Sequence, residues 1–200
     1  MPERIANIVI LAEDTAQQNL VFRYLERCNP RVSYRDCRFE TAATRSGGSG
    51  EQFVRTRYPA EVKEHRLMVG KGASALLTVV IDADKEETRH REKQLRDALE
   101  AARGGCPPKD RHHYDPLAAK EPIVVLIPRR HVETWIRALL GDPVDEVTDY
   151  KKPPYSAPAA NEIKNAASEL HKWTRPGAGP GPTSPPSLTA SIPEWQKIPF

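Results

Sequence analysis

The sequence predicts an α/β fold with a mainly parallel sheet of about four strands flanked by helices. Short apolar runs typical of buried strands alternate with longer segments whose apolar residues recur at helical spacing, which is the order of elements in a parallel sheet. The clearest run is Leu76 to Ile81, which is apolar apart from one threonine, as at the centre of such a sheet. Acidic residues follow two of the runs directly, where open α/β sheets bind their ligands.

The elements follow from these patterns in chain order. The predicted strands span 6–12, 32–40, 75–82 and 123–127, and the predicted helices span 15–28, roughly 50–66, 85–102 and 132–140. Thr15 and Gln18 have the spacing of a capping box at the start of the first helix. Gly104 and Gly105 end the third helix and Gly141 ends the fourth, because glycine readily adopts the backbone conformation that follows a helix.

Beyond residue 150 the sequence changes character. After an α/β domain at 1–150, an amphipathic pattern predicts a helical extension at 151–173. Residues 174–200 begin as a linker rich in proline, glycine and serine and end in a segment with apolar residues such as Leu188 and Trp195. We expect this last segment to dock on the domain or on a partner.

Composition excludes several classes of protein. No apolar stretch reaches the ~18 residues that a membrane helix needs, and the N-terminal residues lack the pattern of a signal peptide, so a cytoplasmic protein without membrane contact is expected. Three cysteines without a Cys-x-x-Cys pair argue against a disulfide framework or a zinc site. A net charge of +3 permits contact with nucleic acid without requiring it.

Two strand ends carry the candidate metal ligands. Asp82 and Asp84 follow the clearest strand, and Glu13 follows the first strand with Asp14 beside it. The carboxyl ends of parallel strands meet at one edge of a sheet, so these carboxylates are expected to lie close together. Close carboxylates repel each other unless one takes a proton or a cation lies between them, and Mg²⁺ or Mn²⁺ suits an all-oxygen site. We therefore predict that Glu13, Asp82 and Asp84 are metal ligands and catalytic residues.

Helix capping is the alternative interpretation of these acids. Asp84 and Glu87 have the spacing of a cap for the third helix. Asp14 suits the first turn of the first helix, where the helix dipole favours negative charge. Capping explains Asp84 on its own but leaves Asp82, which still belongs to the strand end, without a role.

Basic residues near the same edge are candidates for binding phosphate or nucleic acid. Arg129 and Arg130 lie between the fourth strand and the fourth helix, and guanidinium groups bind phosphate in a forked geometry. Arg45 lies in a loop rich in glycine and serine before the second helix, and Lys151 follows the fourth helix. Glu133, at the start of the fourth helix, is a further catalytic candidate as a metal ligand or a base. A surface loop and solvated basic turns are the alternatives.

The order of these motifs resembles the Toprim family, which includes topoisomerases, primases and OLD-type nucleases. Its members have a glutamate after the first strand and Asp-x-Asp after a later central strand, a pattern that Glu13, Asp82 and Asp84 match. Residues 129–135 are similar to the Arg-x-x-Glu-x-Trp segment of small stand-alone Toprim-like proteins, some of which are encoded beside ATPases in phage-defence loci. The resemblance covers roughly residues 5–150, and Asp14 stands where the family has glycine.

The resemblance implies a metal-dependent nucleic-acid phosphodiesterase, a Toprim-type nuclease, with DNA as the expected substrate and Mg²⁺ or Mn²⁺ as cofactor. It also implies an effector role in an ATPase-associated antiviral defence system, with an ATPase partner subunit and self-association into a homo-oligomer left open. Two alternatives remain. One is a non-catalytic interaction or regulatory subunit of a nucleic-acid-processing assembly, and the other is a phosphohydrolase acting on a small molecule.

Overall fold

The computed structural model describes residues 7–42 and 49–199, which form a parallel sheet with helices on both faces. The strands are β1 (Asn7–Ala12), β2 (Cys37–Thr41), β3 (Ala75–Val80) and β4 (Ile123–Leu126). The helices are α1 (Thr15–Cys28), α2 (Gly50–Gly70), α3 (Thr88–Gly105), α4 (Val132–Leu139), α5 (Ala160–Trp173) and α6 (Pro186–Trp195), with short 3₁₀ turns at Tyr34–Asp36 and Pro108–Tyr114. The predicted α/β class with a four-stranded parallel sheet is confirmed.

The strand order β2-β1-β3-β4 places β1 and β3 side by side at the centre of the sheet. All three pairings are parallel, and in the central one Ala12 is aligned with Val80. Because these two residues end their strands, the chain leaves β1 and β3 at neighbouring points on one edge. The acidic residues that follow, Glu13 and Asp82, are thereby brought together.

Each face of the sheet packs against its own set of helices. One apolar core lies between the sheet and α2 and α3, with Val54, Leu95 and Leu99 contributed by the helices. The other core lies between the sheet and α1, α4 and α5, and it includes Trp135. Every residue of β3 is buried, which explains why its sequence lacks the alternation of a half-exposed strand.

Several element boundaries differ from the predicted ones, and local hydrogen bonds give the reason. The N-cap of α1 is Asp14 instead of Thr15, because an Asp14 carboxylate oxygen accepts a hydrogen bond from the backbone N–H of Gln17 at 3.0 Å. β2 begins five residues later than predicted, after a 3₁₀ turn. α3 begins at Thr88, after a turn in which the Glu86 N–H donates to the Ala83 carbonyl.

The C-terminal helix α6 packs against the rest of the fold. Leu188 and Trp195 are buried in the second core, and the Trp135 indole N–H donates a hydrogen bond of 2.7 Å to the Ser187 hydroxyl. β4 is an edge strand, and the Glu194 carboxylate accepts a hydrogen bond of 3.2 Å from the outward-facing backbone N–H of Val125. α6 therefore contributes both to the core and to the closure of this edge.

Among the described residues, no helix is both long enough and apolar enough to cross a membrane. The cytoplasmic location stays a prediction.

Candidate functional site

The carboxyl ends of β1 and β3 bring Glu13 into direct contact with the residue that follows the second strand. A Glu13 carboxylate oxygen accepts a hydrogen bond of 2.7 Å from the backbone N–H of Asp82. The start of α2 lies against the same side chain, since a Cβ atom added at Gly50 would lie 2.7 Å from the Glu13 Cβ. Glycine at position 50 therefore permits the close approach of α2 to Glu13.

Asp82 is a buried carboxylate with an incomplete set of partners. The residue is 1% exposed, and its Oδ2 atom lies 3.2 Å from the Lys151 ammonium and 3.4 Å from Nδ1 of His131. Its Oδ1 atom is buried and has no hydrogen-bond partner among the described residues. Buried carboxylate oxygens normally accept hydrogen bonds or bind a cation, so Oδ1 marks a place where a ligand would be stabilised.

Asp84 lies in the turn between β3 and α3 and is not the cap of α3. The N-cap residue is Glu87, which makes no side-chain capping bond, and Asp84 has a positive φ of 55° that an aspartate tolerates in a turn. Its half-exposed carboxylate is 3.6 Å from Nδ1 of His131 and 3.9 Å from the Arg91 guanidinium. Capping, the alternative interpretation of Asp84, therefore finds no support in the geometry.

Lys151 reaches into this group of acids from the α4–α5 connection (residues 140–159). Its ammonium nitrogen lies 3.0 Å from Asp14 Oδ2, 3.2 Å from Asp82 Oδ2 and 3.7 Å from Glu133 Oε2. We call Glu13, Asp14, Asp82, Asp84 and Glu133 the acidic edge. In this structure Lys151 is a cation of the acidic edge, and its binding of phosphate stays a prediction.

Glu133 joins the acidic edge from the first turn of α4. The residue is 5% exposed, and its Oε2 atom has no hydrogen-bond partner among the described residues, although the Lys151 ammonium is within ion-pair distance. Burial raises the pKa of Glu133, with Asp14 and Asp82 acting in the same direction and Lys151 opposing them. Its predicted place beside the metal ligands is consistent with this geometry.

The two arginines before α4 have different surroundings. Arg129 is 41% exposed at its side chain and pairs with the exposed Glu87 carboxylate at 2.7 Å. Arg130 is largely buried and lies 3.7 Å from Asp149, a residue of the α4–α5 connection. Arg129 is therefore accessible to a ligand, whereas Arg130 is held inside the fold by its contact with Asp149.

His131 bridges the acidic edge and Asp149. Its Nδ1 atom faces Asp82 and Asp84, and its Nε2 atom lies 3.3 Å from Asp149 Oδ1. His131 was not among the predicted site residues, because a histidine in a basic turn before a helix is more often solvated, yet the residue is 8% exposed. The imidazole ring is held between carboxylates on both sides.

The crowding of carboxylates changes the proton affinity of the site. Burial raises the pKa of Glu13 to about 8, with the charges of Asp82 and Asp84 adding to the effect. Burial alone would lower the pKa of Lys151, but the carboxylates of Asp82, Asp14 and Glu133 outweigh it and raise that pKa above its ordinary value. Lys151 therefore carries a permanent charge.

The acidic edge has donor groups that suit a divalent metal, although they do not form a ready-made coordination shell. In the described part of the chain, no group of three or more histidine, cysteine or acidic side chains is already arranged around a common point as metal ligands. The donor chemistry nevertheless fits Mg²⁺ or Mn²⁺, because the groups are carboxylates and the buried Asp82 Oδ1 has no partner. The residues suit the ion, with Lys151 close to where it would bind.

Besides His131, three residues of this region were not among the predicted site residues. Asp14 was interpreted only as a helix-start acid, whereas its second oxygen binds Lys151. Asp149 lies in an irregular segment that no motif marks. Arg91 is 5% exposed, donates from Nε to the Asp82 carbonyl at 3.1 Å and pairs with Glu51 of α2. The one sign of this in the sequence is its spacing, which places Arg91 on the same face of α3 as Leu95 and Leu99. Arg45, predicted to bind phosphate, lies outside the described residues.

In comparisons with protein-family models, with curated proteins and with solved structures, no match to this chain was found.

Proposed function

We propose that the chain is a divalent-metal-dependent phosphodiesterase that acts on nucleic acid. The observation that carries the proposal is the Asp82 carboxylate, which is buried with one oxygen unpaired and lies beside Glu13, whose pKa is raised to about 8. Crowded carboxyl groups at the ends of two adjacent strands are stabilised by a proton or by a bound cation, and a divalent ion would replace the proton on Glu13. Carboxylates delivered by different strands to one edge are a common arrangement for metal-assisted phosphoryl chemistry.

Glu13, Asp82 and Asp84 would hold the metal, with Glu133 beside them. The bound ion would supply positive charge to the phosphate and acidity to a water molecule. The Asp82 N–H orients the Glu13 carboxylate, and Arg91 fixes the Asp82 backbone from the other side. The chain thus holds the ligand-bearing backbone in place before any ion arrives, which lowers the cost of ordering the site.

Other residues of the site would act on the substrate. Glu133 is buried, and burial raises its pKa above the ordinary value, which suits a group that would exchange a proton with the substrate or water. Arg129 is accessible, and its guanidinium would exchange the exposed Glu87 carboxylate for a phosphate oxygen. Arg130 would act indirectly, by fixing Asp149 and through it His131.

The position of the acidic edge favours a polymeric substrate. Asp84 is half exposed at its side chain, so the acidic edge is open to solvent at this residue, while Asp82 and Glu133 lie buried behind it. A cavity of about 390 Å³ between α3, β4 and α6 is lined by other residues, among them Leu95, Leu99 and Ala190, and none of the acidic edge contributes to it. A site that opens to solvent at Asp84, with an accessible Arg129, suits a nucleic-acid backbone better than an enclosed small molecule.

The resemblance to Toprim proteins supports DNA as the substrate, and on that ground alone we also propose an ATPase partner subunit and a role in antiviral defence. The interaction-subunit alternative relied on the apolar C-terminal residues as a docking surface. Leu188, Ile192 and Trp195 are instead buried against the chain's own core. The small-molecule phosphohydrolase would use the same acids, and hydrolysis of a chromogenic phosphate ester without DNA cleavage would select it.

Calorimetric titration of MnCl₂ and MgCl₂ into the wild type and the double variant Asp82→Asn, Asp84→Asn tests the proposal. We expect the wild type to bind and the double variant to lose binding, because the amides keep the shape and remove the charge. The matched control is Asp97→Asn with Glu100→Gln, two exposed acids of α3 whose ion pairs among the described residues are with neighbours on that helix. The titrations are repeated with a short DNA duplex present, because Mg²⁺ sites often include substrate phosphate.

Metal-dependent cleavage of plasmid DNA that the double variant loses and the control keeps would support the full proposal. Absence of metal binding by the wild type, with and without DNA, would contradict it and favour the interaction subunit.

A further inference from the structure

We propose that Lys151 is a built-in cation of the acidic edge, which a divalent metal must displace in order to bind. The inference rests on the metal site of the proposed function and adds its regulation. Three carboxylates from three different elements surround the ammonium nitrogen within 3.7 Å. Asp14 comes from the start of α1, Asp82 from the end of β3, and Glu133 from the start of α4.

The Lys151 ammonium does not provide hydrogen-bond partners for all oxygens of these three carboxylates. Asp82 Oδ1 and Glu133 Oε2 are buried and have no hydrogen-bond partner among the described residues, although both side chains face Lys151. A lysine supplies one charge and three donors, whereas a divalent ion supplies two charges and accepts six or more oxygen ligands. The same carboxylates would therefore be better neutralised by the metal than by the lysine.

Lys151 is placed so that it can leave the acidic edge without unfolding its surroundings. Its side chain is 32% exposed, so solvent already reaches it. The residue before it is anchored, since Tyr150 is buried and its hydroxyl accepts a hydrogen bond from the Asp145 N–H at 3.1 Å. Rotation of the lysine side chain alone would move the ammonium into solvent while the backbone of the α4–α5 connection stays in place.

Competition between the two cations has two consequences. Without metal, Lys151 offsets the repulsion among the carboxylates and stabilises the fold. With metal, the lysine must give up its ion pairs, and this cost lowers the observed affinity. Removing the lysine should therefore weaken the metal-free fold and strengthen metal binding, whereas a lysine that merely oriented the metal ligands would have the opposite effect on binding.

The test compares Lys151→Met with the wild type and with Lys152→Met as the matched control. Lys152 is the next residue, is 76% exposed at its side chain and pairs with Asp149 instead of the acidic edge. Calorimetry with MnCl₂ should show about tenfold tighter binding for Lys151→Met, the change expected when a few partly exposed ion pairs no longer compete. Urea unfolding in EDTA should show a lower midpoint for Lys151→Met and an unchanged midpoint for Lys152→Met. Lys151→Gln repeats both measurements with a polar side chain, so that a folding defect of the methionine variant does not decide the result.

The outcomes separate this inference from the proposed function. Wild-type binding of Mn²⁺ with equal or weaker binding by both Lys151 variants would overturn the inference and leave the metal site standing. Absence of Mn²⁺ binding by the wild type and by every variant would overturn both. Tighter binding by the Lys151 variants but not by Lys152→Met would support both.

Discussion

At the level of single residues, the fold opposes the ionisation of Glu13. Its pKa is raised from an ordinary value of 4.5 to about 8 by burial and by the neighbouring charges of Asp82 and Asp84. Between these two pH values the folded protein binds a proton at Glu13 that the unfolded chain has released. The contribution of Glu13 to stability is therefore fully present below about pH 4.5 and is lost as the pH rises through about 8.

We predict that Glu13→Gln removes this part of the pH dependence. Glutamine keeps an oxygen that accepts the hydrogen bond from the Asp82 N–H but carries no charge at any pH. Urea unfolding midpoints measured in EDTA from pH 5 to pH 9 should fall for the wild type and fall less for the variant. Parallel pH profiles for the two proteins would show that Glu13 ionises normally in the folded state.

At the level of elements, Arg91 holds α2, α3 and the end of β3 together. The side chain begins on α3, donates to the Asp82 carbonyl and pairs with Glu51 in the first turn of α2. It is 5% exposed, so its partners replace most of its hydration. The carbonyl that Arg91 binds belongs to Asp82, whose side chain contacts Lys151. Asp82 therefore links Arg91 on α3 to Lys151 in the α4–α5 connection.

We predict that Arg91→Met destabilises the protein by about 2–4 kcal/mol, because the buried Asp82 carbonyl loses this donor and Glu51 keeps only its ion pair with Arg55 among the contacts described. The control is Lys93→Met on the same helix, an exposed residue that pairs with Asp97 and whose loss should cost under ~0.5 kcal/mol. Urea denaturation followed by circular dichroism measures both. Equal effects of the two substitutions would show that Arg91 contributes no more than a surface ion pair.

Sequence patterns predicted the strands correctly, because a strand that is buried on both faces of a parallel sheet has a continuous apolar run, as at Leu76 to Ile81. They failed at the edges of elements, where a single side chain decides the boundary. Asp14 and Thr15 are adjacent potential caps, and which one binds the free N–H depends on backbone conformation at the helix start. Asp84 was likewise compatible with a cap until the turn before α3 was known.

At the level of the whole molecule, α6 is part of the same core as α1 and α4. Trp195 is 1% exposed, and its ring lies 4.6 Å from that of Tyr24 on α1. We predict that Trp195→Ala lowers the free energy of unfolding by about 3–5 kcal/mol, with one cooperative transition retained. Val147→Ala, at a residue that is 79% exposed, is the control and should change little.

Separate loss of α6 at low denaturant, seen as a second transition, would contradict the assignment of this helix to the common core.

In the candidate site, the acidic residues were predictable from the sequence, whereas their partners depend on packing. Glu13, Asp82 and Asp84 were predicted to lie close together because the carboxyl ends of parallel strands meet at one edge of a sheet. In the structure, Glu13 accepts a hydrogen bond from the Asp82 N–H. The ion pairs of Lys151 join residues far apart in the chain, and no spacing in the sequence indicates them. Asp149 and His131 meet for the same reason, through a connection whose path depends on the packing of Tyr150.

The hydrogen bond from Val125 to Glu194 has a consequence for how the chain is made. β4 leaves the ribosome before α4, α5 and α6, so a growing chain can pair its first strands while the outer side of β4 still has a free N–H group. Free strand edges recruit other strands, and the products are swapped dimers or fibrils. Until Glu194 arrives, each nascent copy presents such an edge to its neighbours on a polysome. Substitution of Glu194 would thus reduce the yield of native protein during synthesis more than it reduces the stability of molecules that have already folded.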